Sequence, residues 1–231
     1  MSLLEPFKIS QACRNKFCSH IIDSSAPRID FYFLIILSSS IVSLGLLIDN
    51  VILVIGGMLV TPLLSPIMAI SLGMVISDHK VLIRSVKVFL LATIYSFLVA
   101  LIIGFVAPRN LNEIGLIDIM KPSLFGLLVA IIAGLAASYT WVKPELNVNL
   151  AGIAVTVTLL PPLVATGLTI ANGEWLLFRN TLNTFILNVF GIIVASLVVF
   201  SLMDFYKAKK MVIAEVKEEE KEFKKKKTEK Q

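Results

Sequence analysis

Two proline-bearing stretches hold the residue types best suited to gripping a small molecule or an ion: GGMLVTPLLSP from Gly56 to Pro66, and VTLLPPLVAT from Val157 to Thr166. A proline has no backbone N–H, so within a helix the carbonyl four residues earlier loses its partner. Pro62 and Pro66 thereby free the carbonyls of Met58 and of Pro62 itself, and Pro161 and Pro162 free those of Val157 and Thr158. Hydroxyls stand at the same levels on Thr61, Ser65, Thr158 and Thr166, and Gly56 and Gly57 permit close backbone approach. Thr158, Pro162, Thr166 and Thr169 share one helical stripe. Oxygen dipoles without a fixed charge suit a neutral or weakly charged solute, or an ion held by carbonyls. Neither stretch contains an Asp, Glu, Lys, Arg or His, which argues against an intramembrane proton relay.

Catalysis has little to build on. His20 and His79 are the only histidines, both outside the apolar runs, and no H-E-x-x-H, G-x-S-x-G or P-loop pattern occurs, so no enzyme activity, catalytic residue or cofactor is expected. Cys13 and Cys18, with His20 nearby, have a spacing a metal can use, but ordinary thiols are the expectation and no metal is assigned.

The elements that position these stretches are membrane spans. With 57% hydrophobic residues, the chain exceeds what soluble domains usually carry, and its apolar runs reach roughly 20 residues, enough to cross a bilayer. The hydropathy pattern predicts an all-α, polytopic membrane protein with six transmembrane helices, at about 31–48, 51–77, 88–107, 123–140, 150–171 and 184–203. The second and fifth are expected to be interrupted by their prolines, and 78–87 to form a short basic loop. Ser39 and Ser43 share a face of the first span, and Gly126, Ala130, Ala133, Gly134, Ala136 and Ala137 line the fourth; both patterns allow close helix packing. Domain boundaries follow: a cytoplasmic N-terminal segment at 1–30, a membrane domain at 31–204 and a charged cytoplasmic tail at 205–231.

An offset of 96 residues superposes the two halves of the membrane domain, about 31–107 and 123–203. It carries Gly56 onto Gly152, Leu63 and Leu64 onto Leu159 and Leu160, Pro66 onto Pro162, Asp49 onto Glu145, Asp78 onto Glu174 and Phe89 onto Phe185. Three spans per half is odd, so the second half enters the membrane upside down: two inverted three-helix repeats, whose paired broken helices point to a site near the midplane. On one side of six spans lie Lys8, Arg14, Lys16, Arg28, Lys80, Arg84, Lys87 and Lys143; on the other lie only Arg109, Lys121 and Arg179. The positive-inside rule then puts both termini in the cytoplasm, in the plasma membrane.

The ends are more polar. Residues 1–30 suit a short helix on the membrane surface, and no signal peptide is visible there. The tail, with ten of the 21 Lys and Arg residues, reads as a solvated helical extension of the sixth span; the alternative is attraction of its Lys224–Lys227 run to anionic cytoplasmic lipid. It has no folded basic face with interleaved aromatics, and no nucleic-acid partner is expected.

The glycine pair Gly56–Gly57, the Pro62-Leu63-Leu64-Ser65-Pro66 core and the later TLLPPLVATGL of Thr158–Leu168 resemble a prokaryotic membrane family, domain of unknown function 389, also called the uncharacterised hydrophobic domain. The likeness runs from about residue 27 to residue 204. It implies a fold and a location, and no activity. From the residues, the expected function is a transporter or channel for a small solute or ion held near the midplane by backbone carbonyls and hydroxyls, with the lipid bilayer, the solute and further copies of the chain as partners. The alternative is a non-transporting scaffold or lipid-interacting oligomer, with the fourth span as its interface.

Overall fold

Helix boundaries follow capping residues more closely than hydropathy. The structure, a computed structural model, describes residues 17–18, 21, 28–107, 111, 114–115, 121–143 and 148–208. Among them run seven α-helices and no strand: α1 (Ile29–Leu47), α2 (Val51–Val60), α3 (Leu64–Val75), α4 (His79–Val106), α5 (Leu124–Val142), α6 (Val148–Ala171) and α7 (Trp175–Leu202), followed by a 3-10 turn at Phe205–Ala208. Asn50 opens α2 by accepting hydrogen bonds from the N–H groups of Ile52 and Leu53, and Ser123 opens α5 by accepting from Gly126. Asp78 does the same for α4, accepting from Lys80 and Val81 at 3.0 Å each. The expected basic loop at 78–87 is therefore helix, and Lys80, Arg84 and Lys87 lie on one face of its first turns.

α1, α4, α5, α6 and α7 are each long and apolar enough to cross a membrane, and α2 with α3 passes the same test as one pair, bent by 53°. Large apolar side chains cover the outside, among them Phe33, Ile94, Ile102, Phe105, Phe125, Ile132 and Phe190. Soluble monomers seldom expose so continuous an apolar surface. The inside is as apolar, and α3 is its centre: every residue from Leu64 to Gly73 is buried.

One set of packing relations occurs twice. α1 packs on α2 and on α4, as α5 packs on α6 and on α7; α3 packs on α4 and α7, as α6 packs on α7 and α4. A hydroxyl pair ties each outer couple, Ser39 to Ser96 between α1 and α4 at 2.7 Å, and Ser138 to Ser196 between α5 and α7 at 2.8 Å. The sulfur of Met68 on α3 lies beside this pair, 3.7 Å from the Ser138 hydroxyl oxygen and 3.5 Å from that of Ser196, which can donate to it. The turns match as well. α3 ends with Asp78 N–H on the Gly73 carbonyl and Ser77 at φ 51°; α6 ends with Glu174 N–H on the Thr169 carbonyl and Gly173 at φ 73°. Each pair is 96 residues apart, and α4 and α7, both 28 residues long, start and end at that same offset.

The small residues of α5 are used within the chain. Ala130, Ala133, Gly134 and Ala137 are buried, and a Cβ on Gly134 would come within 2.9 Å of Ala195 Cβ on α7. Gly134 thus packs on α7, whereas Ala136 is exposed and Gly126 partly so.

Phe17, Cys18 and Ile21 are helical and buried, with the Phe17 ring against Phe200 and Phe205 at centroid distances of 5.4 and 4.9 Å. Ile29 and Asp30 already belong to α1, and the other residues before 28, including Cys13 and His20, and the tail beyond residue 208 lie outside the described residues.

Gly57 and its neighbour make a stability test. A Cβ on Gly57 would sit 2.6 Å from Val42 Cγ2 and 3.0 Å from the Ser38 carbonyl oxygen, whereas one on Gly56 meets nothing within 4 Å. Gly57→Ala should lower stability in detergent by about 1–3 kcal/mol through overpacking, while Gly56→Ala should be neutral or gain up to about 1 kcal/mol of helix propensity. Equal melting temperatures for the two variants would refute the close contact of α1 with α2.

Candidate functional site

Pro62 is where the chain stops being a helix. α2 ends at Val60, and Thr61 is extended, at φ −76° and ψ 124°, as the residue before a proline prefers. Thr61 closes the end twice: its N–H donates to the Met58 carbonyl at 3.3 Å, and its hydroxyl donates to the Gly57 carbonyl at 3.2 Å. The helix restarts at Leu64, so Pro66 falls in the first turn of α3, where an N–H would have no partner within the helix in any case. Of the two carbonyls expected to be freed here, Met58 has found Thr61, and Pro62 stands ahead of the α3 ladder.

The second proline stretch differs from expectation. Pro161 and Pro162 lie inside one continuous helix, α6, so the fifth hydrophobic segment is not interrupted. The reason is visible at Thr158. Its carbonyl, left without a donor by Pro162, accepts from Asn188 Nδ2 on α7 at 2.7 Å, while its own hydroxyl donates to the Val155 carbonyl at 2.8 Å. One turn on, the Thr166 hydroxyl donates to the Pro162 carbonyl at 2.6 Å, and Thr169 donates to the Thr166 carbonyl at 3.0 Å. At the offset of the repeat, Thr158 corresponds to Pro62 and Asn188 to Ala92. Both segments carry two prolines, and the one that breaks lacks the amide that would mend it.

Of the residues singled out by sequence, Gly57, Met58, Thr61, Ser65, Pro66, Pro161, Pro162 and Thr166 are buried, and Pro62 and Thr158 are partly so. Gly56 and Val157 are exposed on the outer surface and stand apart from the others. α2 and α3 both pack on α6, which makes the two proline stretches parts of neighbouring elements. The break itself is held tightly: Leu63, Leu64 and Ser65 are buried on all sides. Asn188 is the residue that sequence reasoning missed. Its signal was available, as a lone amide in the apolar run FILNVFGII.

Apolar helices packed in two matching sets around the buried α3 define an all-helical, multi-pass membrane protein. The chain belongs to the family described as "Domain of unknown function (DUF389)", whose model matches residues 58–194 and so takes in the break, Pro161–Pro162 and Asn188. It is 29% identical over 168 residues to uncharacterized protein MJ0678 of Methanocaldococcus jannaschii, a stretch covering 73% of this chain and 52% of that protein. The chain therefore spans about half the length of that curated relative. No solved structure matches.

Asn188→Leu keeps the size of the side chain and removes the donor to Thr158. Leaving that carbonyl unsatisfied should cost about 1–3 kcal/mol of stability, read as a lower melting temperature in detergent. The bond has no structural role if Asn188→Leu melts with the wild type.

Proposed function

We propose that this protein provides a passage for a small neutral or weakly charged solute, or an ion, with the α2–α3 break as its working element. The observation that carries this reading is the 53° bend at residues 61–63. Interrupted backbone at membrane depth survives where protein buries it or where it lines a wet cavity. The neighbouring α6 carries two prolines and stays whole, so prolines do not by themselves force a break in this fold. A broken helix kept in one half beside a mended one in the other is the kind of asymmetry that gives a passage one movable element. In this reading Thr61, Ser65 and the backbone around Pro62 and Pro66 contact the solute from one side, and Thr158, Thr166 and the α6 prolines from the other. No catalytic step is assigned.

The same reading counts α2–α3 as one span and takes the chain as two inverted three-span repeats. The matched helix limits and turns support it, and so does the stacking of Phe89 on Phe185, equivalent residues whose rings lie 6.3 Å apart and 13° from parallel. Equivalent positions meet in this way on a two-fold axis. Tyr32, early in α1, and Lys80, early in α4, line one cavity, and Phe17 touches the end of α7. Both relations favour an even number of crossings. With the Lys and Arg bias, they support cytoplasmic termini in the plasma membrane. Reporters fused at Gln231 and inserted at Asn112 should read cytoplasmic and external respectively; any other combination overturns six spans with this orientation.

A second reading, a non-transporting scaffold that self-associates, is favoured by one observation. The hydroxyls of Thr61, Thr158 and Thr166 all donate to carbonyls of their own helix, which leaves them less available to a solute. Flux across liposomes containing the purified protein separates the two. Under the transport reading, uptake of at least one member of a panel of neutral solutes and monovalent ions exceeds that of empty liposomes. Pro62→Ala, which returns an N–H to the Met58 carbonyl and straightens the helix, should cut that uptake by about tenfold or more while stability holds or rises. Thr61→Val and Thr158→Val should each reduce it by less. Uptake at background for the whole panel would favour the scaffold, and full uptake by Pro62→Ala would remove the α2–α3 break as the working element of the passage.

A further inference from the structure

Between the beginnings of α1 and α4 lies a cavity of about 490 Å³. Lys80, Arg84 and Lys87 line it from one face of α4, Tyr32 lines it from α1, and Ile83 and Leu91 form its apolar wall. Nothing in the reading of a passage at the α2–α3 break uses these residues. Three cations at spacings of four and three are mutually repulsive neighbours on a helix, and an anion among them relieves that repulsion. The first turns of a helix favour an anion too, although Asp78 already caps this one. The Tyr32 hydroxyl oxygen is buried and has no hydrogen-bond partner among the described residues. A phenol so placed in a basic cavity is a donor ready for an acceptor.

We infer that this cavity binds the phosphodiester of an anionic phospholipid, with Arg84, Lys80 and Lys87 holding the charge and Tyr32 donating to a phosphate oxygen. The wall decides for a lipid over a soluble phosphate. Ile83 and Leu91 are 53% and 44% exposed, and Ile94, half exposed, continues the apolar surface along α4. A lipid seated by its phosphate would run its acyl chains down that surface. The volume lies within the range of about 300–1,000 Å³ typical of small-molecule sites, enough for a headgroup and glycerol but not for the acyl chains as well. Basic pockets between transmembrane helices bind lipid headgroups by this charge arrangement.

The test is native mass spectrometry of the full-length protein in detergent, titrated with phosphatidylglycerol, phosphatidylcholine or glycerol 3-phosphate. The wild type should retain phosphatidylglycerol in preference to phosphatidylcholine. The double variant Arg84→Gln/Lys87→Gln should bind it about tenfold more weakly. Tyr32→Phe should lose a few-fold, as expected for one hydrogen bond to a charged acceptor. Replacing Lys224–Lys227 by glutamine should leave the preference intact. If the double variant misfolds, Lys87→Gln alone, an exposed position, should still weaken binding. The inference is overturned if the two lipids bind equally, if the tail variant loses the preference while the cavity variants keep it, or if glycerol 3-phosphate binds as tightly as the lipid, which would make this a site for a soluble phosphate.

Discussion

A backbone carbonyl without a donor costs several kcal/mol in an apolar medium, and this chain meets that constraint in two ways at equivalent places. In α6 a side chain from another helix supplies the missing donor: Asn188 bonds the Thr158 carbonyl, and the helix runs on through Pro161 and Pro162. In the first half the chain gives up the helix. Thr61 turns extended and covers Gly57 and Met58 with its own hydroxyl and N–H, and α3 begins afresh with Pro66 in its first turn. Each solution gives the backbone a donor, at the Thr158 carbonyl and at the Met58 carbonyl. Only the second leaves it bent.

The packing around these segments explains why the bend is held in one place. α3 is buried from Leu64 to Gly73, and its Met68 rests on the Ser138–Ser196 pair that ties α5 to α7. α2 is pressed on α1 through Gly57, and a Cβ on Gly167 of α6 would come within 2.7 Å of the Phe97 carbonyl oxygen on α4. Each contact uses a small residue where backbones meet, as expected in a medium that provides no hydrophobic drive between helices. The result is a rigid frame with one irregular joint inside it.

Much of this was legible in the residues. Apolar run length gave the helices, and the pair Pro62 and Pro66 pointed to the break, because each proline removes a helical donor. The offset of 96 residues was readable from scattered identities and reappears in the bounds of α4 and α7. What failed was local reasoning about non-local partners. Pro161 and Pro162 look as disruptive as Pro62 and Pro66 until Asn188, 30 positions from Thr158, is brought alongside. The stretch at 78–87 looked like a loop because its charges lower hydropathy, yet the Asp78 cap makes it helix and turns three cations onto one face. The small residues of α5 announced close packing without saying that the partner was α7.

Hydrogen–deuterium exchange of the protein in lipid nanodiscs tests the central claim, that the helix is interrupted at Thr61–Leu63 while Asn188 keeps α6 continuous through Pro161 and Pro162. Amides from Thr61 to Ser65 should exchange far faster than those from Leu159 to Thr166, because only the latter sit inside a continuous helical hydrogen-bond ladder. Equal, strong protection of both stretches would contradict it, and would mean that the ladder runs on through Pro62.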